Sequence, residues 1–259
     1  MKKLLPLILL IILCPVSFAT GYDGTWFLGF NTNKDVFGGR AAKAVRQAFN
    51  LAVDRKSICR DIIGDSNIPT GIIPKGMDGY DASLKGYPHD INKAVSLLKK
   101  AGYSRNDRRL KELVLIHTDG VKTVKIARRI ASDLKKIGVT VRSKQVRYSQ
   151  GEDWEEALSK GKFHMFLMGY KLLPEEDVPT SEALSTQRML KDLFHTDGEA
   201  NFFSVSDKKL DSSIERIDLT PTSEAASLTA GLKALNKYLQ DLSLTVNLFY
   251  IEKIPGLSN

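Results

Sequence analysis

The chain has little cysteine, little tryptophan and few histidines, and each scarcity removes a class of protein. Among 259 residues the only cysteines are Cys14 and Cys59. A disulfide-stapled scaffold and a cysteine-rich zinc module are excluded on that count. The histidines, His89, His117, His164 and His195, are scattered, with no His-x-x-x-His pair and no adjacent cysteine. A zinc site therefore has no support. No Gly-x-Ser-x-Gly elbow occurs, and no glycine-rich phosphate loop ending in Lys-Ser or Lys-Thr. Internal repeats and low-complexity tracts are missing too. No cofactor is expected, no metal, and no catalytic residue.

Long apolar runs are also scarce, and the one near the N-terminus is short. Met1-Lys2-Lys3 is a cationic start, Leu4 to Leu13 is apolar apart from Pro6, and Ser17-Phe18-Ala19 offers small residues at the −3 and −1 positions of a cleavage site. This is the pattern of a secretory signal, with residues 1–19 removed near Ala19. The run is shorter than the roughly 20 residues that span a bilayer. An uncleaved anchor is one alternative. Lipidation of Cys14 is another, although Leu13 is bulky where a small residue is wanted. Cleavage leaves 259 − 19 = 240 residues and Cys59 alone. Such a chain has no internal disulfide and must rely on its core, burying roughly 70–75% of its unfolded surface. The expected destination is periplasmic or otherwise extracytoplasmic.

Formal net charge is +8, and losing Lys2 and Lys3 leaves +6. An exported protein has little access to nucleic acid, so none is expected as a partner. The basic residues are spread along the chain. Arg105, Arg108, Arg109 and Lys111 form the densest cluster, in a turn. Solubilising charge is the ordinary reading, and contact with an acidic membrane surface or partner is the alternative.

Periodicity then outlines an α/β domain. Trp26 to Phe30 reads as a buried strand. Ala41, Ala44, Val45, Ala48, Phe49, Ala52 and Val53 fall at helical spacing. Asp54 and Gly64 bracket a second short helix. Residues 65–89, rich in glycine and proline, form a long irregular connection. Asp90 opens a helix that Gly102 ends. Leu113 to His117, the stripe Val124 to Ile137, Val139 to Val141, the turn Trp154 to Leu158 and Phe163 to Met168 then read strand, helix, strand, helix, strand. That order argues for a parallel βαβαβ unit with right-handed crossovers. Helices near 182–194, 207–218 and 222–242 and a final strand Leu244 to Ile251 complete the chain.

The loop after the last βαβαβ strand, Gly169 to Thr180, is the first place to look for a ligand, because open parallel sheets bind at the carboxyl ends of their strands. Glu175, Glu176 and Asp177 lie there. They read as a solvated acidic loop or as ligand contacts; adjacent loop acids rarely meet across a substrate. Cys59 reads as a buried thiol, and Trp26 and Trp154 as core.

Several segments, in order, resemble one family: the extracytoplasmic solute-binding proteins of family 5, the peptide/nickel type that serve ABC importers. Phe27 to Thr32 resembles its strand ending in Phe-Asn-Thr. Val45-Arg46-Gln47-Ala48 to Asp54-Arg55 resembles its Val-Arg-Gln-Ala helix closed by Asp-Arg. Pro74 to Asp81 is similar to its proline-rich loop. Asp90, Lys93, Ala94, Leu97, Leu98, Ala101, Gly102 and Tyr103 resemble its next helix, Leu134 to Val141 its Leu-Lys-Lys-Ile-Gly segment, and Asn201 with Asp207–Asp211 a later stretch. The resemblance implies an α/β fold, a periplasmic-binding-protein type II-like single lobe with a βαβαβ core and additional helices. It implies a second-lobe-like domain over 20–259 with the first lobe missing.

The resemblance also implies function: binding of a peptide or other small solute for an ABC importer permease, without catalysis, either with a separately encoded first lobe or alone. The alternative is an exported interaction module that kept the lobe and lost its ligand. Cleft candidates are Asn31, Tyr170, Lys171, Glu175, Glu176, Asp177, Asn201 and Phe202. One departure matters. Peptide binders of the family place an Asp four residues after the Gly of a Gly-Trp strand end; here Gly169-Tyr170 match that pair and the fourth residue is Leu173. A lobe without its counterpart is expected to expose apolar surface around Trp26 to Phe30 and Leu244 to Ile251 and to associate there.

Overall fold

A computed structural model describes residues 21–65, 67–171, 182–218, 220 and 224–253. The expected signal segment lies outside them. A single mixed sheet runs through the molecule in the order β3-β2-β4-β1-β5. Its strands are β1 (Tyr22–Phe30), β2 (Leu113–Thr118), β3 (Val141–Val146), β4 (Met165–Lys171) and β5 (Thr245–Glu252). β2 pairs in parallel with both β3 and β4, so the expected parallel unit is present. β1 lies antiparallel between β4 and β5.

Side-chain alternation on the strands builds two cores, because successive residues point to opposite faces. Leu113, Leu115, Leu28, Phe30, Met165 and Leu167 face one cluster. Val114, Ile116, Phe27, Phe166 and Met168 face the other. Helices α1 (Asp35–Gly38), α2 (Ala42–Ala52), α3 (Arg55–Ile58), α4 (Ile91–Lys100) and α5 (Val121–Lys136) contribute to the first cluster. Helices α6 (Trp154–Ser159), α7 (Glu182–Phe194), α8 (Lys208–Asp218) and α9 (Ala225–Leu242) contribute to the second. The result is three layers, helix on sheet on helix.

Local signals act as the chemistry requires. Asp54, Asp90 and Asp153 each accept a backbone N–H three residues on, from Ser57, Lys93 and Glu156, at the starts of α3, α4 and α6. A π-helical turn, Cys59–Ile63, follows α3 and ends at Gly64 with φ 85°. Asp133, fully buried on α5, accepts from the Asp54 N–H, Arg129 Nε and Lys136 Nζ, and so ties α5 to the start of α3.

Two expectations are corrected, and one element is added. Val139 to Val141 is where a strand begins, not where it lies: β3 runs Val141–Val146, and its Arg142 to Gln145 are exposed. It is an edge strand, so apolar alternation is weak there, and charged side chains guard the edge. The seam around Trp26 to Phe30 and Leu244 to Ile251 is not an exposed apolar patch. Phe27, Leu28, Phe30, Val246 and Leu248 are fully buried, because β1 is an inner strand and helices cover both faces. The α1 turn was not anticipated.

Strands β1 and β4 meet through reciprocal pairs of aromatic and glycine. Trp26 opposes Gly169, and Gly29 opposes Phe166. A Cβ on Gly169 would sit 2.5 Å from Trp26 Nε1, and one on Gly29 would sit 2.3 Å from the Phe166 ring. Trp26 also stacks on Phe249 with ring centroids 5.7 Å apart.

The irregular connection 65–89 is pinned by polar groups of α9. Asn236, 1% exposed, accepts from the Ile72 N–H at 3.2 Å and lies against Gly71. Gln240 Nε2 donates to the Thr70 and Lys85 carbonyls. Replacing Asn236 by Ala leaves a buried N–H without its acceptor. Urea unfolding should show a loss of about 1–3 kcal/mol.

Cys59 is buried, donates to the Leu248 carbonyl at 3.2 Å, and has its thiol pushed up by burial to about 11. The folded state holds this proton more tightly than the unfolded chain. The stability it contributes is intact below the thiol's ordinary range and is lost as pH rises through about 11. Between pH 8 and 11 the wild type should lose up to about 2 kcal/mol more unfolding free energy than Cys59→Ala.

Candidate ligand site at the strand ends

The carboxyl ends of β2, β3, β4 and β5 and the start of β1 share one edge of the sheet, as the pairings Thr118 with Val146, Gly24 with Lys171 and Tyr22 with Glu252 require. Chain order changes direction across β2: α5 leads to β3 on one side, and α6 leads back to β4 on the other. In open α/β sheets such a switch point at the strand ends is where ligands generally bind.

Side chains at this edge form local networks. Lys171 Nζ pairs with Asp23 Oδ2 at 3.0 Å, both about one-fifth exposed. The other oxygen of Asp23, Oδ1, is buried and has no hydrogen-bond partner among the described residues. It is an acceptor within a few ångströms of a cation, at the edge where β4 ends. Tyr170 donates to Asp192 Oδ2 at 2.8 Å, and burial together with that carboxylate raises its phenol well above the ordinary range. Tyr22 donates to Asp65 and accepts from Asn67 Nδ2. Asp23 escaped the sequence reading because an acid beside an apolar strand looks like a flank; its pairing with Lys171 spans the sheet, not the sequence.

His117, 2% exposed near the end of β2, offers the nearest approach to a nucleophile–base pair. Its Nδ1 lies 2.7 Å from the Thr118 carbonyl and its Nε2 lies 2.5 Å from Ser143 Oγ. The carbonyl requires the proton on Nδ1, so Nε2 accepts from the serine. Burial lowers the imidazole's pKa and favours this neutral form. Each polar atom of the ring is thereby satisfied. Among the described residues no group of three or more His, Cys, Asp or Glu could hold a metal ion.

The eight candidate residues do not assemble into one site. Tyr170 and Lys171 stand at the strand-end edge. Glu175, Glu176 and Asp177 lie outside the described residues. Asn31, Asn201 and Phe202 sit at the opposite edge, a full length of β1 away, on the order of 25 Å. Asn31 is 1% exposed; its Nδ2 donates to the Gly161 and Phe163 carbonyls, and its Oδ1 accepts from the Asn33 N–H. Asn201 holds its own loop, donating to the carbonyls of His195, Thr196 and Val205 and accepting from the Val205 N–H. Phe202 packs edge-on to Phe166 at 6.4 Å.

Comparison with known proteins places this architecture. Residues 15–187 match the sequence model of the bacterial extracellular solute-binding proteins, family 5. The chain is 29% identical over 107 residues to di/tripeptide-binding protein 2 of Pseudomonas aeruginosa, which is 41% of this chain and 20% of that protein. It is 28% identical over 148 residues to heme-binding protein A of Haemophilus influenzae, 56% of this chain and 26% of that one. The oligopeptide-binding protein AppA from Bacillus subtilis, solved with a nonapeptide, superposes with a TM-score of 0.71 at 19% identity, covering 90% of this chain and 45% of AppA. The chain thus spans about a quarter or less of these relatives' sequences and under half of the solved structure. The matched segment, the three-layer fold and its partial coverage of larger binding proteins agree, and the chain belongs to family 5 of the bacterial extracellular solute-binding proteins.

Proposed function

We propose that this protein is the solute-binding component of an ABC-type importer, with a peptide as its ligand, exported after removal of residues 1–19 and without catalytic activity. The observation that carries the reading is the strand-end edge, where Asp23 and Lys171 pair between β1 and β4, in a chain of this family. Peptide-binding relatives supply the ligand class. In this reading residues 20–259 act as the second lobe and work with the importer permease. A separately encoded first lobe would close the cleft. In this reading the Asp23 carboxylate accepts from the ligand's ammonium group, with Glu175 and Glu176 as further candidate acceptors.

A second reading has its own support. Four candidate side chains, Asn31, Tyr170, Lys171 and Asn201, are already engaged in hydrogen bonds or ion pairs within the lobe. An interaction module that no longer binds solute would look like this.

Magnitudes separate the two. Ligand sites of high affinity bury about 70–90% of their ligand, and a one-sided crevice buries far less. An exposed ion pair contributes about 0–1 kcal/mol, whereas micromolar affinity needs about 8 kcal/mol. Calorimetry with di- to pentapeptides should give dissociation constants near millimolar, weakened several-fold further by Asp23→Asn. Low-micromolar binding by the monomer would show that no first lobe is needed. Undetectable binding, with or without a candidate first lobe, would favour the interaction module.

A further inference from the structure

We propose that the end of the lobe opposite the ligand edge docks on an anionic phospholipid surface. Basic residues that are dispersed in sequence meet there. α4 ends in Lys99 and Lys100, Lys135 lies in the last turn of α5, and Arg105 and Arg108 occupy the turn before β2; all are exposed and none makes an ion pair among the described residues. The fold holds these segments together. Gly138, just past α5, packs so closely on the Arg105 carbonyl that a Cβ would sit 2.1 Å from it, and Lys111 Nζ caps the Gly138 carbonyl at 2.8 Å. Acids at this end offset part of the charge: Asp107 is held by Arg109, Asp133 is buried with Lys136, Asp241 pairs with Lys43, and Asp35, Glu112, Asp197 and Glu199 are exposed.

Two adjoining cavities select a lipid surface over other acidic partners. One, of about 620 Å³, brings Lys34, Arg40, Arg109 and His164 together with the single carboxylate of Asp35. His164 Nδ1 accepts the Val114 N–H at 3.0 Å, so its ring proton is on Nε2, a donor suited to a phosphate oxygen. The other, of about 430 Å³, is lined by Val95, Leu98, Ile137 and the stem of Lys99. The two share Tyr103, and Val95 is among the few large exposed apolar side chains. An anionic headgroup beside an apolar chain region matches that juxtaposition, and basic side chains near such a surface each strengthen binding roughly fivefold. Docking by this end leaves the ligand edge clear. It presupposes export, but the test below needs neither peptide nor importer and so fails independently of the proposed function.

The purified full chain should sediment with vesicles of phosphatidylcholine containing one-quarter phosphatidylglycerol and not with phosphatidylcholine alone. Salt that shortens the Debye length to about 3 Å should release it. The variant Lys99→Glu/Arg105→Glu/Arg108→Glu should bind at least about a hundredfold more weakly. Lys122→Glu/Lys125→Glu/Lys233→Glu, with the same charge change elsewhere, should bind far more nearly like wild type; circular dichroism checks that both variants fold. Equal binding to both vesicle types, as insertion of the Leu4–Leu13 run would give, would overturn the proposal. So would equal loss in the two variants, absence of vesicle binding, or displacement from vesicles by duplex DNA at equal charge.

Discussion

The hydrogen bonding of β1 along both of its edges is the constraint on which the rest of this structure depends. Among the described residues β5 pairs with β1 alone, and β1 is its link to the βαβαβ unit. Both faces of β1 are covered, Leu28 and Phe30 contributing to one core and Phe27 to the other. The far end is fixed by Asn31, whose amide bridges two carbonyls of the segment entering β4. An inner strand tied in this way cannot also serve as a sticky seam. That is why the apolar residues expected to lie open are covered.

Much of this fold is legible in the sequence because its signals are local. Capping acids at Asp54, Asp90 and Asp153 and left-handed glycines at Gly64, Gly102, Gly138 and Gly161 mark helix ends directly. The stripe on α5 and the apolar runs of β2 and β4 give the parallel unit. What escapes is non-local. The antiparallel setting of β1 and β5 follows from pairing partners far apart in the chain. β3 drops out of the apolar pattern because an edge strand faces water. Asn236 sits in the middle of a leucine stripe, and only its contact with a loop distant in sequence explains a buried amide there.

The candidate site was less legible, for a reason of length. Asn31 and Tyr170 both lie at strand ends, but β1 and β4 are antiparallel, so the ends belong to opposite edges. Motif resemblance marks positions along a chain and carries no information about which end of a strand faces a crevice. Asp23, which the sequence reading passed over, stands at the right edge because the register brings it beside Lys171. Charge shows the same effect. Basic residues that look diluted along the chain become concentrated once helix ends and turns converge on one pole.

The two glycine–aromatic pairs of β1 and β4 carry a consequence for how this sheet finds its alignment. Sliding one strand by a single position would drive the Trp26 ring toward Met168 or Tyr170 and the Phe166 ring toward Leu28 or Phe30. Because one pair has its ring on β1 and the other on β4, no other offset sets both rings opposite glycine. The strands thus carry a two-point key, readable from either side, that admits one setting only.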